Sequence, residues 1–239
     1  MQKTPGAPAR PLRYYEFVMA AFVVVLVCSN LIGPAKISQV ELPLAGLVTF
    51  GAGVLFFPIS YVFGNILTEV YGYARSRRVI WTGFACLAFA SFMAWVVVAL
   101  PPAPFWKNQA AYEVAFGQAW RIALASMIAY ACGEFVNSFT LAKMKIATKG
   151  RWLWTRTMGS TVVGEGVDSL LFYPLAFWGT GIIPDDKLPA VMAAQFVAKV
   201  LVEAAFTPVT YLVVGWLKRA EGVDHYDRDT DFTPFSVKV

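Results

Sequence analysis

Apolar residues in this chain fall in long runs separated by short polar or basic segments, not at the spacing of a half-buried surface helix. Six runs stand out: Tyr14–Gly33, Leu44–Tyr71, Val79–Leu100, Ala119–Leu141, Thr157–Ile183 and Leu188–Leu217. A helix of about 20 apolar residues crosses a hydrocarbon core about 30 Å thick, so each run suffices for one crossing. Several are longer than that and carry helix breakers. The second holds Gly51, Gly53, Pro58 and Gly64, the fifth Gly164, Gly166 and Pro174, and the sixth Pro208. Such spans are expected to tilt, kink or break. The fold class predicted is all-α, a polytopic six-transmembrane-helix bundle over residues 14–217 with tails at 1–13 and 218–239. The first run follows Lys3, Arg10 and Arg13 as a signal peptide would, but no small-x-small cleavage site follows it. It is read as a retained helix.

Charge gives the bundle a direction. Fifteen of the Lys and Arg residues fall in the N-terminal tail, the segments after spans two and four, and the C-terminal tail; the opposite loops hold only Lys36, Lys107 and Lys187. Short loops rich in Lys and Arg stay in the cytoplasm, which predicts an N-in/C-in arrangement. The connection over 101–118 is Pro-rich, and the tail from Glu221 is expected to be disordered at its end.

Composition agrees: of 239 residues 58% are hydrophobic and 15% charged, against about 45–50% and about 25% in soluble domains. Mean hydropathy is +0.57. The net charge of +5 sits in topology clusters and is not read as a nucleic-acid surface. Cys28, Cys86 and Cys132 lie inside apolar runs and His225 stands alone in the polar tail, so no disulfide framework or metal site is expected. Phosphate-loop, zincin and esterase-elbow motifs are missing from the sequence. A membrane enzyme is disfavoured, and no cofactor is expected.

The candidate chemistry lies where charge is costly. Glu134 falls in span four, Glu165 and Asp168 in span five, and Lys199 and Glu203 in span six; each such group costs about 2.5–3.5 kcal/mol or more at a helix centre. Helical spacing gathers Gln195, Lys199 and Glu203 on one stripe, Glu165, Asp168 and Ser169 on another, and Glu134, Asn137 and Ser138 on a third. Three polar faces cannot all meet lipid, so they are expected to converge on an interior cavity. One alternative is that Lys199 pairs with Asp168 or Glu203 only to hold helices together. Carboxylates outnumber Lys199, however, and the excess must be protonated, paired with Arg or offered to a ligand. Phe57, Tyr61 and Phe172 are candidates to stack on a flat ligand, with interfacial packing as the alternative.

Several segments together resemble the queuosine precursor transporter family, also described as vitamin-uptake-like transporters. The first runs Phe57-Pro58-Ile59-Ser60-Tyr61, then Asn65-Ile66-Leu67-Thr68-Glu69-Val70-Tyr71-Gly72, with Ala74-Arg75 and Trp81 after it. Others are Arg156 with Ser160, Gly164, Asp168-Ser169 and Phe172; Lys199, Glu203, Pro208 and Tyr211; and Ser29-Asn30. The resemblance covers about residues 14–220. Two positions depart from the family pattern, which often has Asp where this chain has Asn65 and an amide where it has Glu165. Together they move a carboxylate from span two to span five.

The resemblance implies a multi-pass transporter of the bacterial inner membrane that imports a small 7-deazapurine: 7-cyano- or 7-aminomethyl-7-deazaguanine, or queuine. A guanine-like edge offers neighbouring N–H donors that a carboxylate accepts in pairs. Asp168 or Glu165 is expected on that edge, and Lys199, poised by Glu203, Gln195 or an Asn near the 6-oxo group. Asn65, Glu134, Asn137, Tyr61, Phe57 and Phe172 complete the expected site, with Glu69 and Arg156 as gating or ion-pairing residues. Facilitated diffusion, proton-coupled alternating access and service as the binding subunit of an ATP-driven importer all remain open, as do a homo-oligomer and a separate energising module.

Overall fold

A computed structural model of the chain describes residues 12–32, 37–42, 46–51, 55–117, 120–179, 184–228 and 230–236. Seven helices are found there: α1 (Tyr15–Leu31), α2 (Phe57–Tyr71), α3 (Tyr73–Ala99), α4 (Gln109–Phe116), α5 (Trp120–Ala147), α6 (Leu153–Phe177) and α7 (Leu188–Glu221). Between α1 and α2 lies an antiparallel hairpin of β1 (Ile37–Leu42) and β2 (Gly46–Gly51), with Ile37 opposite Gly51 and Leu42 opposite Gly46.

The helices bear out the all-α fold class, and a two-stranded hairpin that the sequence pattern did not predict is added between α1 and α2. Predicted span two, Leu44–Tyr71, is not one helix. Its first part forms β2, and α2 has only 15 residues with Pro58 in its first turn, about 22 Å of helix at 1.5 Å per residue. Proline suits that position because its missing N–H would have no intrahelical partner there. Span five, expected to break, is continuous as α6 over Leu153–Phe177, with Pro174 one turn from its end. Its predicted end at Ile183 lies outside the described residues. Span six is likewise unbroken through Pro208 and runs on to Glu221. The Pro-rich connection contains the short helix α4.

Two described helices, α3 and α7, are long and apolar enough to cross a membrane, and α1 is a shorter apolar helix. Much of their surface faces outward: Phe89, Phe92 and Trp95 on α3, Leu201 and Leu212 on α7, and Phe17 on α1 are all exposed. Exposed apolar area on this scale suits a lipid surrounding. The apolar core packs between α1, α2 and α3, around Phe22, Leu26, Leu67, Val70, Ile80 and Leu87.

One end of the molecule gathers the start of α1 and the end of α7. The Glu221 carboxylate accepts the backbone N–H groups of Arg13 (2.8 Å) and Tyr14 (2.6 Å), together with the Tyr71 hydroxyl (3.0 Å). The chain then turns from α2 into α3 through Gly72, at φ 87°, a backbone conformation that favours glycine. A Cβ at Gly72 would also lie 2.2 Å from the His225 ring. The C-terminal segment after α7 is docked on this end. Asp227 accepts the Tyr73 N–H at 3.0 Å, Arg77 donates to the carbonyls of Asp231 and Thr233 at 2.6 Å each, and the Trp81 indole donates to the Pro234 carbonyl at 2.7 Å. The extreme end of the tail, expected to be disordered, lies outside the described residues from 237 onward.

Candidate functional site

Helices α5 and α6 approach closely because each presents a glycine to the other. A Cβ on Gly133 would lie 2.9 Å from the Gly164 carbonyl, and one on Gly164 would lie 2.8 Å from the Gly133 carbonyl. Glycine removes the side chain that would hold the backbones apart. The contact brings Asn137 of α5 and Asp168 of α6 to the same depth as the middle of α2. Gly64 does the same for α2: a Cβ there would sit 1.9 Å from a Glu134 carboxylate oxygen.

A buried polar centre results, formed by α2, α5, α6 and α7. Asn65, Glu134, Asn137, Ser160, Thr161, Glu165, Asp168, Ser169, Lys199 and Glu203 are all buried. The structure thus brings together most of the residues expected from the sequence. Lys199 Nζ is 2.5 Å from Asp168 Oδ2 and 3.0 Å from Glu165 Oε2. It also lies 5.4 Å from the centre of the Phe57 ring, within range of a cation–π contact. Glu203 belongs to a different group, accepting the Asn65 amide at 2.9 Å while the Lys199 ammonium bridges the two α6 carboxylates.

Asn65 is a hub. Its Nδ2 donates to Glu203 and, at 3.3 Å, to Thr161; its Oδ1 accepts from Asn137 at 3.1 Å and Ser160 at 3.3 Å. A side-chain amide has two N–H donors and an oxygen with two lone pairs, so its bonding capacity is filled by the protein. Tyr61 Oη, Asn137 Oδ1, Ser169 Oγ and Glu203 Oε2 are buried without a hydrogen-bond partner among the described residues. Buried polar atoms are normally satisfied, so such a group of exceptions marks a place where a polar ligand can bond.

The remaining expected residues are more peripheral. Gln195 is half-buried on α7, one turn from Lys199. Phe172 is half-buried in a ring cluster with Tyr173 and Phe177. The sequence reading missed Tyr173 itself, which is buried and within electrostatic range of Lys199, Asp168 and Glu165. Its signal was present: Tyr173 is one turn beyond Ser169 on the stripe that carries Glu165.

A second charged cluster lies one turn along α2, at Glu69. The Glu69 carboxylate meets Lys218 at 2.6 Å, Arg156 at 2.8 Å and Lys145 at 3.5 Å. Asp224 adds contacts to Lys145 (2.7 Å) and Lys218 (2.9 Å), and Lys145 donates to the carbonyls of Glu69 and His225 at 2.6 Å each. Arg156 also donates to the Arg151 carbonyl. This clamp lies at the end of the bundle where α5 and α7 finish and α6 begins. Glu69 and Arg156 were expected here; Lys145 and Lys218 were counted only as topology charges.

A helical bundle with an exposed apolar surface and a charged interior defines a membrane protein. Comparison with known proteins places it further. Residues 51–213 match the putative vitamin uptake transporter family, and the chain belongs to that family. It is 30% identical over 196 residues to a probable queuosine precursor transporter of Bacillus subtilis (strain 168), covering 82% of this chain and 81% of the relative. It is 28% identical over 177 residues to the queuosine precursor transporter of Escherichia coli (strain K12), covering 73% of each. No solved structure matches.

Proposed function

We propose that this protein imports a queuosine precursor of the 7-deazaguanine class across the bacterial inner membrane, binding it in the centre between α2, α5, α6 and α7. The observation that carries the reading is Lys199 held against Asp168 and Glu165, beside the unpartnered atoms of Tyr61, Asn137, Ser169 and Glu203. Paired N–H donors on a guanine-like edge suit Asp168 or Glu165, and the 6-oxo group suits Lys199. Phe57 and Tyr61 offer the stacking faces, with Gln195 and Phe172 at the margin. Asn65 positions Glu203 and does not contact ligand. Glu134, held behind Gly64 against hydroxyl groups, is also left out of the ligand set.

The relatives' names support the substrate class. In this reading the chain makes six crossings with both termini in the cytoplasm, which the charge asymmetry of the loops supports. The Glu69–Arg156–Lys145–Lys218 clamp then serves as the cytoplasmic gate of an alternating-access cycle. The test is uptake of labelled 7-cyano-7-deazaguanine by liposomes containing only the purified protein, without ATP. Saturable uptake that is competed by unlabelled 7-aminomethyl-7-deazaguanine is expected. No uptake above protein-free liposomes would contradict import by this chain alone.

A further inference from the structure

We propose that Glu134 is the resting site of a coupling proton, taken up and released once per transport cycle along a line of hydroxyl groups on α5. The proposal rests on the transporter reading and adds to it a source of energy.

Glu134 is fully buried near the middle of α5. Every element packed against it can be named. From α5 the Tyr130 hydroxyl reaches Oε2 at 3.4 Å and the Ser138 hydroxyl reaches Oε1 at 3.4 Å. Gly64 packs against it from α2, and the carboxyl groups of Glu165 on α6 and Glu203 on α7 act on it through their charge. Among the described residues no cation pairs with it, since Lys199 is engaged by Asp168 and Glu165. An ionised carboxylate in such a place would be desolvated, repelled by neighbouring carboxylates and repaid only by two long hydroxyl contacts. In this arrangement Glu134 is therefore the neutral acid, whereas Asp168 and Glu165 share an ammonium.

The second observation is the path. Tyr130, Glu134 and Ser138 recur one turn apart and form a single stripe of α5. Toward the Glu69 end of the bundle, Ser138 Oγ accepts the Thr68 hydroxyl at 3.1 Å and lies 3.3 Å from Ser76 Oγ, in the first turn of α3. In the other direction the Tyr130 hydroxyl faces Ser60, near the start of α2. Hydroxyls both donate and accept, so each can take one proton and pass on its own. Glu134 gives its proton to Ser138, which passes its own hydroxyl proton to Ser76, a contact in which either hydroxyl can donate. The Tyr130 hydroxyl then gives its proton to the carboxylate as it accepts one from the Ser60 hydroxyl, so no free phenolate forms. One proton enters, one leaves, and no other reactant is consumed. Tyr61, whose Oη has no partner among the described residues, stacks edge-on against Tyr130 at 5.6 Å, so a ligand bound at Tyr61 changes the surroundings of this line.

The experiment uses the full chain in liposomes with the membrane potential clamped, labelled 7-cyano-7-deazaguanine as probe, and three readouts: binding, counterflow, and accumulation under an imposed proton gradient. In the wild type, a gradient of about one pH unit should support up to about tenfold accumulation for one proton per ligand, collapsed by a protonophore. Glu134→Gln keeps the shape of the acid and should preserve binding and counterflow while abolishing gradient-driven accumulation. Ser138→Ala, which breaks the path and leaves Glu134 in place, should slow the gradient response with binding unchanged. Binding with accumulation indifferent to the gradient in the wild type would overturn the proposal and leave the substrate reading standing. Gradient-driven accumulation retained by Glu134→Gln would overturn it equally. Failure of the wild type to bind the probe overturns the substrate reading first, and that arm is measured before any gradient is applied.

Discussion

Lys199 and Asp168 face each other across the α6–α7 contact, ammonium to carboxylate at 2.5 Å, with both side chains buried. A pair in that position adds little net stability, but removing one partner strands the other. Lys199→Met is expected to destabilise the folded protein by about 3–5 kcal/mol because Asp168 and Glu165 lose their shared cation. Asp168→Asn should be far milder, since Glu165 still holds Lys199. Thermal unfolding in detergent measures both, and equal effects from the two substitutions would show that the ion pair is not organised around Lys199.

The glycine contact between α5 and α6 makes a sharper structural demand. Gly133→Ala and Gly164→Ala each force a methyl group against a backbone carbonyl under 3.0 Å away and should cost about 1–3 kcal/mol as overpacking. Gly215→Ala on α7 is the control: nothing lies within 4 Å of a Cβ there, and alanine's better helix propensity should leave stability unchanged or raised by up to about 1 kcal/mol. Unfolding midpoints compare the three. Tolerance of alanine at Gly133 and Gly164 would contradict the close approach that builds the site.

How much of this was legible beforehand follows from how unusual each residue was in its setting. Glu165, Asp168, Lys199 and Glu203 stood out because charge inside an apolar run is costly, and helical spacing then put them on inward faces. Lys145 and Lys218 did not stand out, because a lysine at a span end looks the same whether it meets water or a buried Glu69. Their roles depend on contacts made across the fold. Strand β2, Gly46–Gly51, was absorbed into span two because it is short and joins the apolar run of α2 without a polar break. Asn65 looked like a ligand contact by position, and only its four hydrogen bonds identify it as a hub.

The docked C-terminal segment should respond to acid. Burial pulls the Asp224 carboxyl upward, but hydrogen bonds from Lys145 and Lys218 outweigh it and hold the group below its ordinary value of 3.8. A depressed native value means that the contribution is complete above 3.8 and is lost as pH falls through the lower native value. Limited proteolysis of the segment after Gly222 should therefore quicken only when the pH drops below 3.8. Equal protection above and below that pH would exclude Asp224 as part of the attachment.

Topology can be read by labelling. In a cysteine-free background, Thr233→Cys should react with an impermeant thiol reagent only after inside-out exposure, and Lys187→Cys only from the outside of intact cells. Both positions are exposed. Labelling of the two from the same side would contradict six crossings.

Equilibrium binding to the purified protein tests the central claim most directly. The panel is 7-cyano-7-deazaguanine, 7-aminomethyl-7-deazaguanine, queuine, guanine and adenine, measured on the wild type and on folded Asp168→Asn and Lys199→Gln. Saturable binding of the deazaguanines is expected, with adenine rejected for lack of the guanine-type donor edge and both variants weakened by about tenfold or more, about 1.4 kcal/mol for one charge-assisted contact. Binding of no deazaguanine, or full wild-type affinity in a folded Asp168→Asn variant, would contradict it.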